Sequence, residues 1–414
     1  MTKLEAFKKV CKDWMVISDD TYIDVLFGVI AANRLDSKPV WLYLIGPPGS
    51  GKTEIVQSWR NVAEVYATEG LTAHTIISGK ILEDDEPDPS LLPKLNGKVL
   101  VIKDFTTILS MRNEDVHAIW GQLRNAYDGT ARINVGTGKD TLYVSKFGLI
   151  ACVTDILDAH TGLVSSLGER FLTYRMPRVD ENERWQRAEK AAACESTLAM
   201  EATLAAAAEA VFAAAAGPAT LPVDLRHRLV GAAAFLARAR TWVPRNRNHE
   251  VIGLPDPEVP TRIAKQLVAL AKGVAMMREK PQVEQAEVDL MERIVVDGVP
   301  VFRARILEFM ANSGAAGVTV GETTAKLGLS DSPVRLALED FVILGLVSAR
   351  TEALPHGNLR TTQKRWTLDP NYRNLWRQQQ MQRAAQDEAV REGAEEEAAQ
   401  EAWAEIVTAR AAEV

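Results

Sequence analysis

Eight consecutive residues constrain this chain more than any others: Gly46, Pro47, Pro48, Gly49, Ser50, Gly51, Lys52 and Thr53. They fit the spacing G-x-x-x-x-G-K-S/T, follow the apolar run Val40-Trp-Leu-Tyr-Leu-Ile45, and open a segment with a helical pattern. In such a loop the glycines let backbone N–H groups turn inward around phosphates. The lysine neutralises the β and γ oxygens, and the hydroxyl ligates Mg2+. Lys52 and Thr53 take those parts here. A strand before and a helix after separate the match from a chance glycine-rich turn, so ATP and Mg2+ are the expected ligands.

The rest of the pattern extends this reading. A strand is expected at Thr75-Ile-Ile77 after a helix from Thr53 to about Ala67, and a solvated acidic loop at Glu83 to Pro89. Buried strands are expected at Val99 to Ile102, Leu149 to Val153 and Phe171 to Met176, with a helix from about Glu114 to Tyr127. Ala131 to Val135 and Thr141 to Val144, joined by Gly136-Thr-Gly-Lys139, read as a hairpin. Strands alternating with helices imply an α/β three-layer nucleotide-binding domain over residues 36–179, preceded by a helical segment over 1–35. Residues 180–298 turn Ala-rich and helical, broken at Gly217-Pro218 and Pro255-Asp-Pro257. Over 299–369 three helices precede two strands around Pro355-His-Gly-Asn358, the outline of a winged helix-turn-helix. Residues 370–414, rich in Gln, Ala and Glu, read as a solvated helix or a partly disordered tail.

Composition excludes some functions. The chain has 414 residues, 47% of them apolar and 25% charged, enough for several domains with their own cores. Cys11, Cys152 and Cys194 stand far apart with no C-x-x-C pair, which argues against a zinc site or disulfide framework and for a reducing, cytoplasmic setting. The N-terminus has no signal-peptide core, and no apolar run of membrane-spanning length is expected. A net charge of −7 argues against nucleic acid wrapping the whole surface but leaves room for a local basic groove.

Three further positions carry candidate chemistry. An acid at the end of a buried strand holds Mg2+ and orients the attacking water in P-loop enzymes. Here Val99 to Ile102 is followed by Lys103-Asp104, so Lys103 replaces the usual metal-binding Asp and Asp104 stands where the water-activating acid belongs. Either Asp104 serves both purposes, as metal ligand and base, or hydrolysis is weak. Asp104 also fits a helix cap or a salt bridge to Lys103. Thr154, after the strand ending at Val153, is the candidate polar group beside the phosphates, and it equally fits a turn cap. Arg170, just before the strand at Phe171, fits an arginine finger that stabilises charge on a neighbouring subunit's nucleotide.

In order, loop, strand acid, polar tip, arginine and helical segment resemble the AAA+ ATPases. The hairpin before Leu149 makes the resemblance closest to the minichromosome-maintenance type of helicase, over about residues 35–369. Ile102-Lys-Asp-Phe-Thr106 sits where that family has Ile-Asp-Glu-Phe-Asp, and Gly168-Glu-Arg-Phe171 is similar to its Ser-Arg-Phe-Asp segment. Pro260-Thr-Arg-Ile-Ala-Lys-Gln-Leu267 resembles its second-sensor helix. The resemblance implies that residues 180–298 form a lid and that Arg262 contacts the γ-phosphate across a subunit boundary. It also implies a six-membered ring, with Lys139 gripping DNA phosphates from the hairpin tip. Arg335, Lys364 and Arg365, with Arg350 and Arg360, would then meet DNA from the winged helix. About forty residues before the core leave no room for an oligonucleotide-binding domain, so a compact form of the phage or mobile-element kind, acting in DNA replication, is implied. Two other readings stay open: a remodelling, helicase-loading or transcription-regulatory ATPase that grips a protein, and a nucleotide switch that does not hydrolyse.

Overall fold

The computed structural model describes residues 1–72, 75–78, 88–134, 140–160, 170–353, 362–377 and 379. At its centre are five strands: β1 (Trp41–Ile45), β2 (Val65–Thr68), β3 (Val99–Ile102), β6 (Gly148–Val153) and β7 (Phe171–Arg175). They lie in the order β2-β3-β6-β1-β7, and every pairing is parallel. β1, β3 and β6 are buried along their whole length, as a parallel sheet covered on both faces requires, which is why they read as unbroken apolar runs.

Alternation along each strand sends successive side chains to opposite faces. Leu42, Leu44, Val99, Val101, Ile150 and Cys152 pack with helices α1 (Lys3–Trp14), α2 (Thr21–Asn33) and α3 (Lys52–Gln57). Trp41, Tyr43, Ile45, Leu100, Ile102, Leu149 and Ala151 pack with α4 (Thr106–Leu109) and α5 (Asn113–Tyr127). The result is an α/β sandwich of helix, sheet and helix. Between β3 and β6 the chain inserts an antiparallel pair, β4 (Thr130–Asn134) and β5 (Asp140–Val144), where a hairpin is expected.

Two local expectations need correction. α3 stops at Gln57, and Val65–Thr68, expected to lie in the same helix, is strand β2. The short helix turns at Trp59, whose side chain is fully buried, and pairing with β3 then outweighs local helical preference. Thr75 to Ile77 is a turn rather than a strand: the Thr75 N–H donates to Thr72 O at 3.0 Å while the Thr72 N–H donates to Thr75 Oγ1 at 3.0 Å. Ile76 and Ile77 are buried all the same.

Five helices follow: α6 (Glu181–Ala192), α7 (Thr197–Ala214), α8 (Val223–Ala239), α9 (Thr261–Met277) and α10 (Gln285–Asp297). α9 crosses α2 at a pair of glycines, and a Cβ on Gly273 would stand 2.2 Å from Gly28 O and 2.8 Å from Ala32 N. α7 corrects the expectation about apolar runs, since its 18 residues are long and apolar enough to cross a membrane by length and composition. Its face of Met200, Leu204, Ala208 and Val211 is instead packed in the core, and Glu201 and Glu209 are bonded to Arg60 and Asn61.

Beyond them come α11 (Val301–Ser313), α12 (Val320–Leu327) and α13 (Asp331–Ile343), then the antiparallel pair β8 (Val347–Ala353) and β9 (Thr362–Leu368). Val318, ahead of α12, bridges to Trp366 of β9. The start of the tail is not solvated as expected: Trp376 is buried, its ring 6.4 Å from that of Phe235 in α8. Residues 380–414 lie outside the described residues.

Candidate functional site

The loop Gly46–Thr53 leaves β1 at the carboxyl edge of the sheet and runs into the N-terminus of α3. Gly49 (φ 71°) and Gly51 (φ 81°) adopt left-handed backbone that a side chain would strain, and this reverses the chain so that Gly51 caps α3. Lys52 Nζ donates to Gly46 O (2.7 Å), Pro47 O (2.7 Å) and Ser50 Oγ (3.0 Å), so the ammonium lies within the loop's curve. Burial draws Lys52 below its ordinary value, opposed by the carboxylates Asp155, Glu54 and Asp104. Beneath it, burial pushes the Cys152 thiol up to about 12, so it stays neutral. The end of α1 and the first turn of α2 approach the loop: Met15 Sδ and the Tyr22 hydroxyl lie 3.5 and 3.9 Å from where a Gly51 Cβ would sit.

Parallel strands bring the other candidates to the same edge, where α/β sheets bind ligands. β6 lies between β1 and β3, and Gly46 N donates to Val153 O (3.1 Å) while Phe105 N donates to Cys152 O (2.7 Å). Thr154 and Asp104 therefore end the two strands next along from the loop. Asp104 is exposed, and its Oδ1 accepts the Thr106 N–H, two residues on, at 2.9 Å. Lys103 turns to Glu69, Nζ to Oε1 3.7 Å, and not to Asp104. Thr154 is half-buried, and its carbonyl accepts the Leu157 N–H at 3.2 Å. Sequence reasoning passed over Asp155. Among carboxylates it pulls most on Lys52, ahead of Glu54 and Asp104, and its place one residue past Thr154 was the available signal.

The expected Mg2+ finds a thin donor set. Mg2+ takes six oxygens and leans on one or two carboxylates plus phosphates. Here Thr53, exposed at the start of α3, offers a hydroxyl, and Asp104 has one oxygen already engaged by Thr106 N. The preceding residue is the ammonium of Lys103. Among the described residues no three His, Cys, Asp or Glu side chains stand together as a metal site. The chain's own groups do not fit a tightly held Mg2+.

Arg170 and Arg262 lie together, but not at this edge. Arg170 precedes β7, parallel to β1, so it stands at the amino edge, a strand's length or roughly 16 Å from the loop. Gln266 Nε2, in the second turn of α9, donates to Arg170 O at 2.7 Å, which brings the Arg262 turn of that helix alongside. Burial lowers the Arg170 pKa, and the charges of Arg262 and Arg124 lower it further. Glu258 pairs with both Arg262 and Arg240. The connection carrying Glu258 also exposes Trp242, Ile252, Leu254 and Val259.

In the C-terminal segment Arg335 on α13 and Lys364 on β9 are exposed, Lys364 with its Nζ 5.4 Å from the Trp366 ring centre. Arg365 differs from the expectation: its guanidinium donates to Gly317 O and pairs with Glu322 (3.1 Å) and Glu352 (3.3 Å), which holds it inside the fold. Arg350 pairs with Glu352 at 2.8 Å. Lys139 and Arg360 lie outside the described residues. No protein-family model matches this chain, and no curated protein matches it.

Proposed function

We propose that this chain binds and hydrolyses ATP as a ring-forming AAA+ motor of the minichromosome-maintenance type, acting on DNA. The observation that carries the reading is a division of labour across the sheet. The phosphate loop, Asp104 and Thr154 share the carboxyl edge, while Arg170, Arg262 and Arg124 share the amino edge. A polyphosphate needs cations beyond Lys52, and a guanidinium whose pKa is lowered by burial and by neighbouring arginines is steadied by added negative charge. One chain cannot join the two edges. A neighbouring copy can. The exposed apolar residues Trp242, Ile252, Leu254 and Val259 beside the arginines are the kind of surface such a contact buries.

In this mechanism Lys52 and the loop N–H groups bind the triphosphate, Asp104 takes the proton of the attacking water, and Thr154 orients it. Arg170 and Arg262 stabilise charge from the adjacent subunit. Residues 180–298 act as the lid and 299–369 as a winged helix, with Arg335 and Lys364 as its DNA-facing cations.

ATPase rate measured with and without single-stranded and forked DNA tests this reading, with Lys52→Ala as the inactive control. Stimulation by DNA is the expected result. Indifference to DNA together with stimulation by a protein client would replace the motor with a remodelling ATPase. ATP binding with no turnover under any condition would make it a switch.

A further inference from the structure

Lys103 stands where a P-loop enzyme keeps the acid that grips Mg2+. Its face is fixed by the sheet: Val99 and Val101 belong to the cluster that holds α2 together with Ile55 and Val56 of α3, Leu100 and Ile102 belong to the cluster on the other side, and alternation returns residue 103 to the side of α2 and α3. It therefore rises at the carboxyl edge, on the face where Lys52 and Thr53 open α3. The Lys103 N–H is anchored to Thr68 O at 3.0 Å, so the backbone there is set by the β2–β3 pairing. Its side chain is 24% exposed, and its partner Glu69, 3.7 Å away, is 89% exposed. Such a pair is screened by water and held loosely, and a polyphosphate with several charges outcompetes it. An ammonium at this place repels a divalent cation and attracts phosphate oxygens directly.

We propose that the loop binds a nucleoside triphosphate without a divalent cation, the Lys103 ammonium supplying the charge that a protein-held Mg2+ supplies in other P-loop proteins. The proposal rests on the nucleotide-binding reading above and deepens it. Lys52 holds the phosphates from the loop side and Lys103 from the β3 side, two strands or about 10 Å across the sheet. Asp104 has one oxygen engaged by Thr106 N and keeps the other for the attacking water.

The test is titration of the full chain with a fluorescent ATP analogue, once in EDTA and once in excess Mg2+. The expected affinities agree within about threefold, and Lys103→Gln loses about tenfold in EDTA, the order of one charge-assisted contact. Lys103→Asp should convert the site to the ordinary kind, weak in EDTA and restored by Mg2+. Wild-type affinity that falls more than about tenfold in EDTA would overturn the inference and leave the nucleotide site standing. So would a Lys103→Gln variant, folded by circular dichroism, that keeps its full affinity in EDTA. Absence of binding in both buffers would overturn the nucleotide-binding reading itself, and this inference with it.

Discussion

Asp104 holds a backbone contact at the same place where the proposed mechanism needs a base. Its Oδ1 accepts the Thr106 N–H two residues on, and the residue is exposed just past the end of β3. Asn keeps the acceptor oxygen and loses the base. Asp104→Asn is therefore expected to retain nucleotide affinity and fold while turnover stops, read by nucleotide titration beside phosphate release. Surviving turnover would move the base to Asp155, the carboxylate with the stronger pull on Lys52. A second residue-scale case lies behind the site. Asp19 accepts from Arg293 Nη2 (2.7 Å), the Tyr174 hydroxyl (3.0 Å) and Thr21 N (3.0 Å), and Arg293 lies 4.5 Å over the Tyr174 ring. Burial alone would raise the Asp19 pKa, but the Arg293 charge and these bonds hold it below the usual range. Stability from a lowered carboxylate is complete above its unfolded value, near about 4, and drains away as pH falls through the folded value. Asp19→Asn should cost about 3 kcal/mol at neutral pH, since it leaves a buried guanidinium short of its partner, and the loss should shrink in acid. Urea melts at pH 7 and near pH 3 would show it. An equal loss at both would mean packing, not charge, sets the cost.

At the scale of elements, the crossing of α2 and α9 is the tightest helix contact at a glycine. Gly273 brings the two backbones together, and a methyl there meets Gly28 O and Ala32 N, neither of which can move without shifting a helix. Gly273→Ala should destabilise the protein by about 2–3 kcal/mol or more, the cost of overpacking against rigid backbone. Gly231 is its control: it lies in α8, exposed, with nothing within 4 Å of an added Cβ. Gly231→Ala should stabilise by about 0.5–1 kcal/mol through helix propensity and a less flexible unfolded chain. Thermal melts of the two variants should move in opposite directions. A neutral Gly273→Ala would mean that the helices stand farther apart than described.

At the scale of the whole molecule, one hydrophobic cluster holds residues from Leu4 in α1 to Trp376. The boundaries expected near residues 35, 179 and 298 rest on changes of composition along the chain. In the proposed ring the two edges of the sheet would meet between neighbouring copies. Arg170→Ala is expected to bind ATP normally and to lose hydrolysis by a factor on the order of a thousand, as supplied arginine fingers do. Mixing it with Lys52→Ala, each inactive alone, should restore part of the activity, because a mixed ring contains interfaces with an intact loop facing an intact finger. Full activity of Arg170→Ala at saturating ATP would remove the ring mechanism.

By itself the sequence determined the parts whose cause is local. The loop and its helix follow from glycine spacing, the buried strands β1, β3, β6 and β7 from apolar runs too short for helices, and the hairpin and C-terminal helices from turn and capping residues such as Gly328 and Pro333. What depends on partners far along the chain was decided only by the tertiary structure. Val65–Thr68 is a strand because β3 offers it an edge, and Trp376 is buried because Phe235 waits for it. Arg365 is held by Glu322 and Glu352, although nothing near it in sequence distinguishes it from the exposed Lys364. Arg170 and Arg262 are joined with Arg124 at one edge because β7, α9 and α5 converge there. Sequence spacing encodes backbone geometry over a few residues. The field at a charged group is the sum over whatever folding brings beside it, and that sum exists only once the chain has packed.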